Sequence, residues 1–286
     1  MEIIVKNDGE LLDYLVNNID MPSKKIKEYL THGSIYVNNN RTTKYNYPVY
    51  SGNTIIIDTK SKNKVILPFE ILFEDEHIIV VNKPSGLLTI ATDNEKYNTL
   101  YHIVRNYLVS KNKNNRIFIV HRLDKDTSGV IIFAKDERTK NMLQDNWNDY
   151  VKLREYICVV HGKLEGNNRL TDKIKRLDNG NSIISSDGKE AILDYETVLY
   201  NKDKDCTLVK IHLLTGRHHQ IRVQFSNIGH ALLGDHRYSV GEENYPIALY
   251  AYKLEFVHPV KKEMMRFQLL PKNYGFWKFV DVNKAL

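Results

Sequence analysis

The chain has 286 residues, 42% hydrophobic and 27% charged, with 41 Lys+Arg against 35 Asp+Glu and a formal charge of +6. This is the make-up of a globular protein with room for one large and one small domain, and the basic balance suits a polyanionic partner. Two cysteines, Cys158 and Cys206, exclude a disulfide scaffold and a CxxC metal or redox motif; no apolar run approaches the ~18 residues of a membrane span, and the start Met1-Glu2-Ile3-Ile4-Val5-Lys6 lacks a signal-peptide pattern, so a cytoplasmic protein is expected.

In chain order, Leu11, Leu12, Leu15, Val16 and Ile19 recur at helical spacing. Pro22-Ser23 stops that helix and starts a second, with Ser23 as the expected N-cap, Gly33 as the stop, and Ile26, Tyr29 and Leu30 facing inward. Ile35-Tyr36-Val37 and Thr54-Ile55-Ile56-Ile57 read as short strands, the latter preceded by a turn at Ser51-Gly52-Asn53. Lys24, Lys25 and Lys27 crowd the first turn of the second helix, where cations oppose the helix dipole. They form either a solvated face or a contact to a phosphate backbone, which would reverse that penalty.

Lys60-Ser61-Lys62-Asn63-Lys64 reads as a charged linker, giving expected boundaries of 1–60, 61–69 and 70–286. Beyond it, Ile71-Leu72-Phe73 and Ile78-Ile79-Val80-Val81 read as strands. A helix follows with Leu100, Ile103, Val104, Tyr107 and Leu108 inward, then a hydrophilic loop over 110–115. Arg116 to Val120 and Val130 to Ala134 read as strands bracketing the polar run His121-Arg122-Leu123-Asp124-Lys125-Asp126-Thr127-Ser128-Gly129. That run puts the acid Asp124 near the base Arg122 at the edge of a core. Asp136 starts another helix; Leu153 to Val160, Thr207 to Leu213 and Leu249 to Val257 read as further strands, and Gln220 onward as a helix ending at Gly229. Helices interspersed irregularly among strands predict an α+β domain on a mainly antiparallel sheet.

His121 to Gly129 matches the His-Arg-Leu-Asp-x-x-Thr-Ser-Gly signature of the RluA-type pseudouridine synthases. Four further patches resemble the same family in the same order. They are the turn Lys83-Pro84-Ser85-Gly86-Leu87, the strand Arg154-Glu155-Tyr156, the run Thr215-Gly216-Arg217-His218-His219-Gln220-Ile221-Arg222, and Gly229-His230 with Gly234-Asp235 and Tyr238. Together they cover the whole second domain. The first sixty residues, with "SIYVNN" and "VYSGNTIII", resemble an S4 RNA-binding domain. Departures are Arg154 where the family commonly has lysine, no proline in Thr89-Ile90-Ala91, and Leu249-Tyr250-Ala251 where the family often has Leu-His-Ala. None touches the acid.

The resemblance implies that uridine in RNA is isomerised to pseudouridine without a cofactor. Asp124 would be the catalytic carboxylate, Tyr156 the aromatic under the target base, and Arg222 the guanidinium paired with Asp124. Arg122, Arg217, Lys83 and Thr127 would bind substrate, Arg122 filling the gap left by the flipped nucleotide, and Lys24, Lys25 and Lys27 would bind RNA. Read without the family, Asp124 is a turn former or cap and Arg222 an ordinary ion-pair partner. No carboxylate or cysteine cluster completes a metal site around His218 and His219, so neither zinc nor another cofactor is expected. The expected partner is RNA, ribosomal RNA being favoured by the S4-like unit and transfer RNA left open, with no membrane and a monomeric chain. The alternative is a non-catalytic RNA-binding or ribosome-assembly protein on the same fold.

Overall fold

The computed structural model describes residues 1–31, 33–38, 40–59, 67–93, 95, 98–239 and 245–286. Met1–Pro68 and Phe69–Leu286 form two compact units. The charged run expected to link them, 60–64, lies outside the described residues, as does most of the expected 61–69 linker.

The first unit contains β1 (Glu2–Ile4), β2 (Gly9–Glu10), α1 (Leu11–Asn18), α2 (Ser23–Thr31), β3 (Ile35–Val37), β4 (Asn40–Thr42), β5 (Pro48–Val49) and β6 (Thr54–Ile57). Its sheet runs β1-β6-β3-β4, antiparallel throughout, and β2 pairs β5. Leu11 and Leu15 from α1 and Ile26 and Leu30 from α2 pack on Ile35, Val37, Ile55 and Ile57, burying one face of each element. Ser23 is not the N-cap: it is the first residue of α2, and the carbonyl of Pro22 accepts from the amides of Lys25 and Ile26. Gly33, at φ +60°, ends the helix, a conformation that favours glycine. The burial of Ile26 and Leu30 turns Lys24, Lys25 and Lys27 outward, where all three are exposed.

The second unit contains β7 (Glu70–Glu74), β8 (Ile78–Lys83), α3 (Leu100–Lys111), β9 (Phe118–Ile119), β10 (Ser128–Ala134), α4 (Glu137–Asp145), α5 (Trp147–Tyr150), β11 (Val151–His161), β12 (Asn167–Arg176), β13 (Ser182–Ile184), β14 (Lys189–Asn201), β15 (Cys206–Leu213), α6 (Gln220–Asn227), β16 (Leu249–Val257), β17 (Met264–Gln268), a 3₁₀ turn (Gly275–Phe279) and α7 (Val282–Ala285). One eleven-stranded sheet runs β13-β12-β14-β15-β11-β16-β10-β8-β7, with β17 on β16 and β9 on β10. Every pairing is antiparallel except β10 with β16.

Period-two alternation dresses both faces of this sheet. On β11, Cys158 and Val160 point to one side, packing with Phe225 and Ile221 of α6. Ile157 and Val159 point to the other, against Phe276, Val280 and Val282 near the C-terminus. Two helix starts are set locally: Thr99 caps α3 by accepting from the amide of His102, and Asp136 caps α4 by accepting from that of Thr139. Strands β12 to β14 were not anticipated. β12 exposes seven of its ten residues, and Asn, Arg, Lys, Thr and Asp dominate it, so little apolar alternation marks it. It is a strand because its backbone pairs with β14 over eight residues.

Candidate active site

The parallel pairing of β10 with β16 positions the polar run. Ser128 and Gly129 of β10 lie opposite Tyr250 and Ala251 of β16, and Ala251 lies opposite Tyr156 of β11 on its other side. The register Gly129–Ala251–Tyr156 therefore brings Tyr156 to the end of the Asp124 loop. Gly129 has φ +116°, and a Cβ there would run into the Ala251 backbone, so this approach requires glycine.

The loop is fastened from below. Lys83 is fully buried, and its ammonium donates to the carbonyls of Thr127 (2.7 Å), Lys125 (2.9 Å) and Pro84 (3.0 Å). Thr89 Oγ1 donates to the Leu123 carbonyl at 2.6 Å, Ser85 Oγ donates to that of Asp126 at 2.8 Å, and the Ile132 amide donates to His121 Nε2 at 3.2 Å. This corrects the sequence assignment of Lys83: two of its N–H groups go to the loop and the third to Pro84, so it serves as a tether rather than a substrate contact. Burial lowers its pKa to about 7 against the opposing fields of Asp126 and Asp124. Three carbonyl acceptors match the three hydrogens of the charged form.

Above the loop is a concavity of about 340 Å³. Asp124, Arg122, Thr127, Tyr156, Arg217 and Arg222 all line it, so folding brings together six of the seven second-domain residues expected at the site. Arg154, Arg176, Trp147, His121, His218 and His219 join them. Burial pushes the Asp124 carboxyl above the ordinary carboxylate range; Arg222, Arg122 and Lys83 pull it down, Asp126 pushes it up, and burial prevails. Burial also raises the Tyr156 hydroxyl, with Arg154 opposing and Asp124 reinforcing, so the phenol keeps its proton at neutral pH.

Arg222 does not pair with Asp124 in the expected way. Its Nε donates to Asp235 Oδ2 at 2.8 Å and its Nη2 to Asp235 Oδ1 at 2.6 Å, with both side chains buried. Among the described residues, the Asp124 carboxylate makes no hydrogen bond or ion pair, and it feels Arg222 through its field alone. Asp235 was visible only as part of a Gly-Asp pair; the signal for it was the cost of leaving a buried arginine unpaired. The guanidinium carbon also lies 5.2 Å from the centre of the Tyr238 ring. On its far side Arg222 lines a second concavity, of about 440 Å³, with Ser85, Asp126 and Arg237.

The two histidines sit just before α6, whose start at Gln220 is the one expected, His219 at φ +54°, with their rings stacked 3.8 Å apart. A ring nitrogen of each lies within 4.8 Å of the other and of an Asp124 carboxylate oxygen, so the carboxylate missing from the sequence pattern is supplied by folding. The Ser182 hydroxyl donates to the His218 carbonyl at 2.8 Å. Its 3.0 Å contact with His218 Nδ1 is then closed by an Nδ1–H, which leaves the Nε2 lone pair of His218 open. His219 Nδ1 contacts the Tyr238 hydroxyl at 2.9 Å. Burial first, then the surrounding arginines, hold both rings neutral, with pKa values near about 4 for His218 and about 2 for His219.

A half-buried acid under a cluster of arginines, with an aromatic two strands over, suits chemistry on a polyanion. No helix among the described residues is long and apolar enough to cross a membrane. Residues 77–227, more than half of the chain, match the family model described as RNA pseudouridylate synthase. The chain is 30% identical over 277 residues to the uncharacterised RNA pseudouridine synthase YhcT of Bacillus subtilis, covering 93% of this chain and 91% of that one. It is 33% identical over 219 residues to the ribosomal large subunit pseudouridine synthase D of Zymomonas mobilis, covering 70% and 68%. The solved structure of human RNA pseudouridylate synthase domain containing 4 shares the fold, with a TM-score of 0.57 at 22% identity over 71% of this chain and 88% of that one. The chain belongs to the RNA pseudouridylate synthase family.

Proposed function

We propose that the protein converts uridine to pseudouridine in RNA and that Asp124 is the acting acid. The observation that supports this most is the position of Asp124: half-buried in the concavity, unpaired among the described residues, and inside the field of Arg222 and Arg122. The N1–C1′ bond breaks, the uracil turns, C5 joins C1′, and the C5 proton is released while N1 takes up a proton. Because the product is an isomer of the substrate, no energy source is needed. The ionised carboxylate attacks C1′ or takes the C2′ proton, and an unpaired oxygen is free for either. Tyr156 holds the extruded base by stacking, an interaction of roughly 1–3 kcal/mol. Arg122, exposed at the rim, fills the gap in the stack, where its planar guanidinium meets both bases and phosphate. Arg217 and Thr127 line the same concavity, and the strand continues over Arg222 into the second one.

The first unit is read as S4-like and as an accessory RNA-binding domain, with Lys24, Lys25 and Lys27 presented on one exposed helix face. Ribosomal RNA is the proposed target, in line with the name of the Zymomonas mobilis relative. The protein would work as a monomer in the cytoplasm, where its two buried thiols remain reduced.

The deciding measurement is tritium release from RNA carrying 5-tritiated uridine. Asp124→Asn should abolish release while leaving RNA binding within about twofold of wild type. Appreciable turnover by this variant would remove Asp124 from the mechanism. Mapping of pseudouridine in ribosomal and transfer RNA from cells with and without the gene identifies the target.

A further inference from the structure

We propose that Asp124, His218 and His219 together bind a zinc-class divalent ion, and that the ion blocks the enzyme by occupying its carboxylate until RNA or a chelator displaces it. Two imidazoles and one carboxylate form a donor set suited to borderline transition ions rather than to magnesium or calcium. The three donor atoms already lie within 4.8 Å of one another. Zinc bonds of about 2.0–2.1 Å at tetrahedral angles need donors roughly 3.3 Å apart. The remaining closure falls to Asp124, which no hydrogen bond holds among the described residues.

The surroundings of the histidines are those of ligands. A metal-bound imidazole is normally oriented by a partner on its other nitrogen. Here Ser182 Oγ holds Nδ1 of His218 at 3.0 Å and Tyr238 Oη holds Nδ1 of His219 at 2.9 Å. Ser182 is fully buried and also donates its amide to that tyrosine oxygen at 2.7 Å, so one residue braces both rings. The two rings stack with centroids 3.8 Å apart, and one nitrogen of each lies within 4.8 Å of the other and of an Asp124 oxygen. Arg176, Arg122, Arg222 and Arg237 repel any dication here alike, so the imidazole bonds must outweigh that repulsion, a gain open to zinc and not to magnesium.

Binding is tested on the full chain by calorimetric titration with zinc chloride, and by the visible absorption that cobalt(II) gains in a nitrogen-containing site. One saturable site per chain is expected, weakened at least tenfold by His218→Asn and by Asp124→Asn. His219→Asn, a residue tolerant of the left-handed backbone there, is expected to do the same. Zinc should also raise the thermal midpoint of wild type and of none of the three variants. Inhibition of tritium release should be reversed by EDTA, relieved by excess RNA, and absent with magnesium. Absence of saturable zinc binding, or binding that survives both His218→Asn and Asp124→Asn unchanged, overturns the site. The blocking effect rests on Asp124 as the acting acid, whereas the binding measurements do not. Tight binding together with turnover by Asp124→Asn would therefore leave the site standing and defeat only the proposed mechanism.

Discussion

Arg222 and Asp235 form a buried two-point ion pair, 2.6 and 2.8 Å long, at the wall of the concavity that holds Asp124. The pair anchors the guanidinium, and the guanidinium acts on Asp124 at a distance. Asp235→Asn should leave a buried arginine short of its counter-charge and destabilise the fold by about 3–5 kcal/mol, read as a lower urea midpoint. The double replacement Arg222→Met with Asp235→Leu should recover much of that stability while losing turnover. Equal loss of stability in both proteins would show that the pair's charge is not what matters.

The acidic limb of the rate profile should report Asp124. Its carboxyl is pushed up by burial and held back by Arg222, Arg122 and Lys83. Turnover needs the ionised form, so kcat/KM should rise with pH through a value above the ordinary carboxylate range. Arg122→Ala removes one restraining charge from an exposed position and should move that limb to higher pH. A limb that stays in place would mean that Arg122 acts on RNA alone.

Lys83→Met removes three donors from buried carbonyls and should loosen the 121–128 loop, seen as faster amide exchange there and a loss of several kcal/mol of stability. The wild-type pH dependence follows from linkage. The folded-state pKa, about 7, lies below the unfolded value, so between those two values the unfolded chain holds a proton that the folded chain has released. Lys83 therefore makes wild-type stability rise with pH across that window, and the methionine variant should lack that rise.

Reversing Lys24, Lys25 and Lys27 to glutamate tests the first unit. If all three meet phosphate, the slope of log K against log salt should fall by about three, with chemistry on saturating RNA unchanged. An unaltered slope would return these lysines to a solvated helix face.

Local chemistry made much of the molecule legible. Strand β16 runs over the residues that its apolar alternation marks, and Asp136 caps α4 as its side chain allows. The signature runs from after β9 into the start of β10 because the apolar residues on either side have nowhere to go but a core. Each of these features is decided within a few residues of chain. Strand β12 escaped because its faces are largely polar, and only its pairing partner makes it a strand.

Charge partnerships were decided elsewhere. The sequence pointed to the side chains the second domain would gather, and six of them do line one concavity. It did not show that Lys83 ties down the loop, that Arg222 belongs to Asp235, or that Asp124 completes a cluster with His218 and His219. Turn and strand preferences follow from short-range sterics and periodicity. Which carboxylate meets which cation depends on how β10, β16 and β11 register against one another, and on which groups that registry buries, where an electrostatic contact gains its strength.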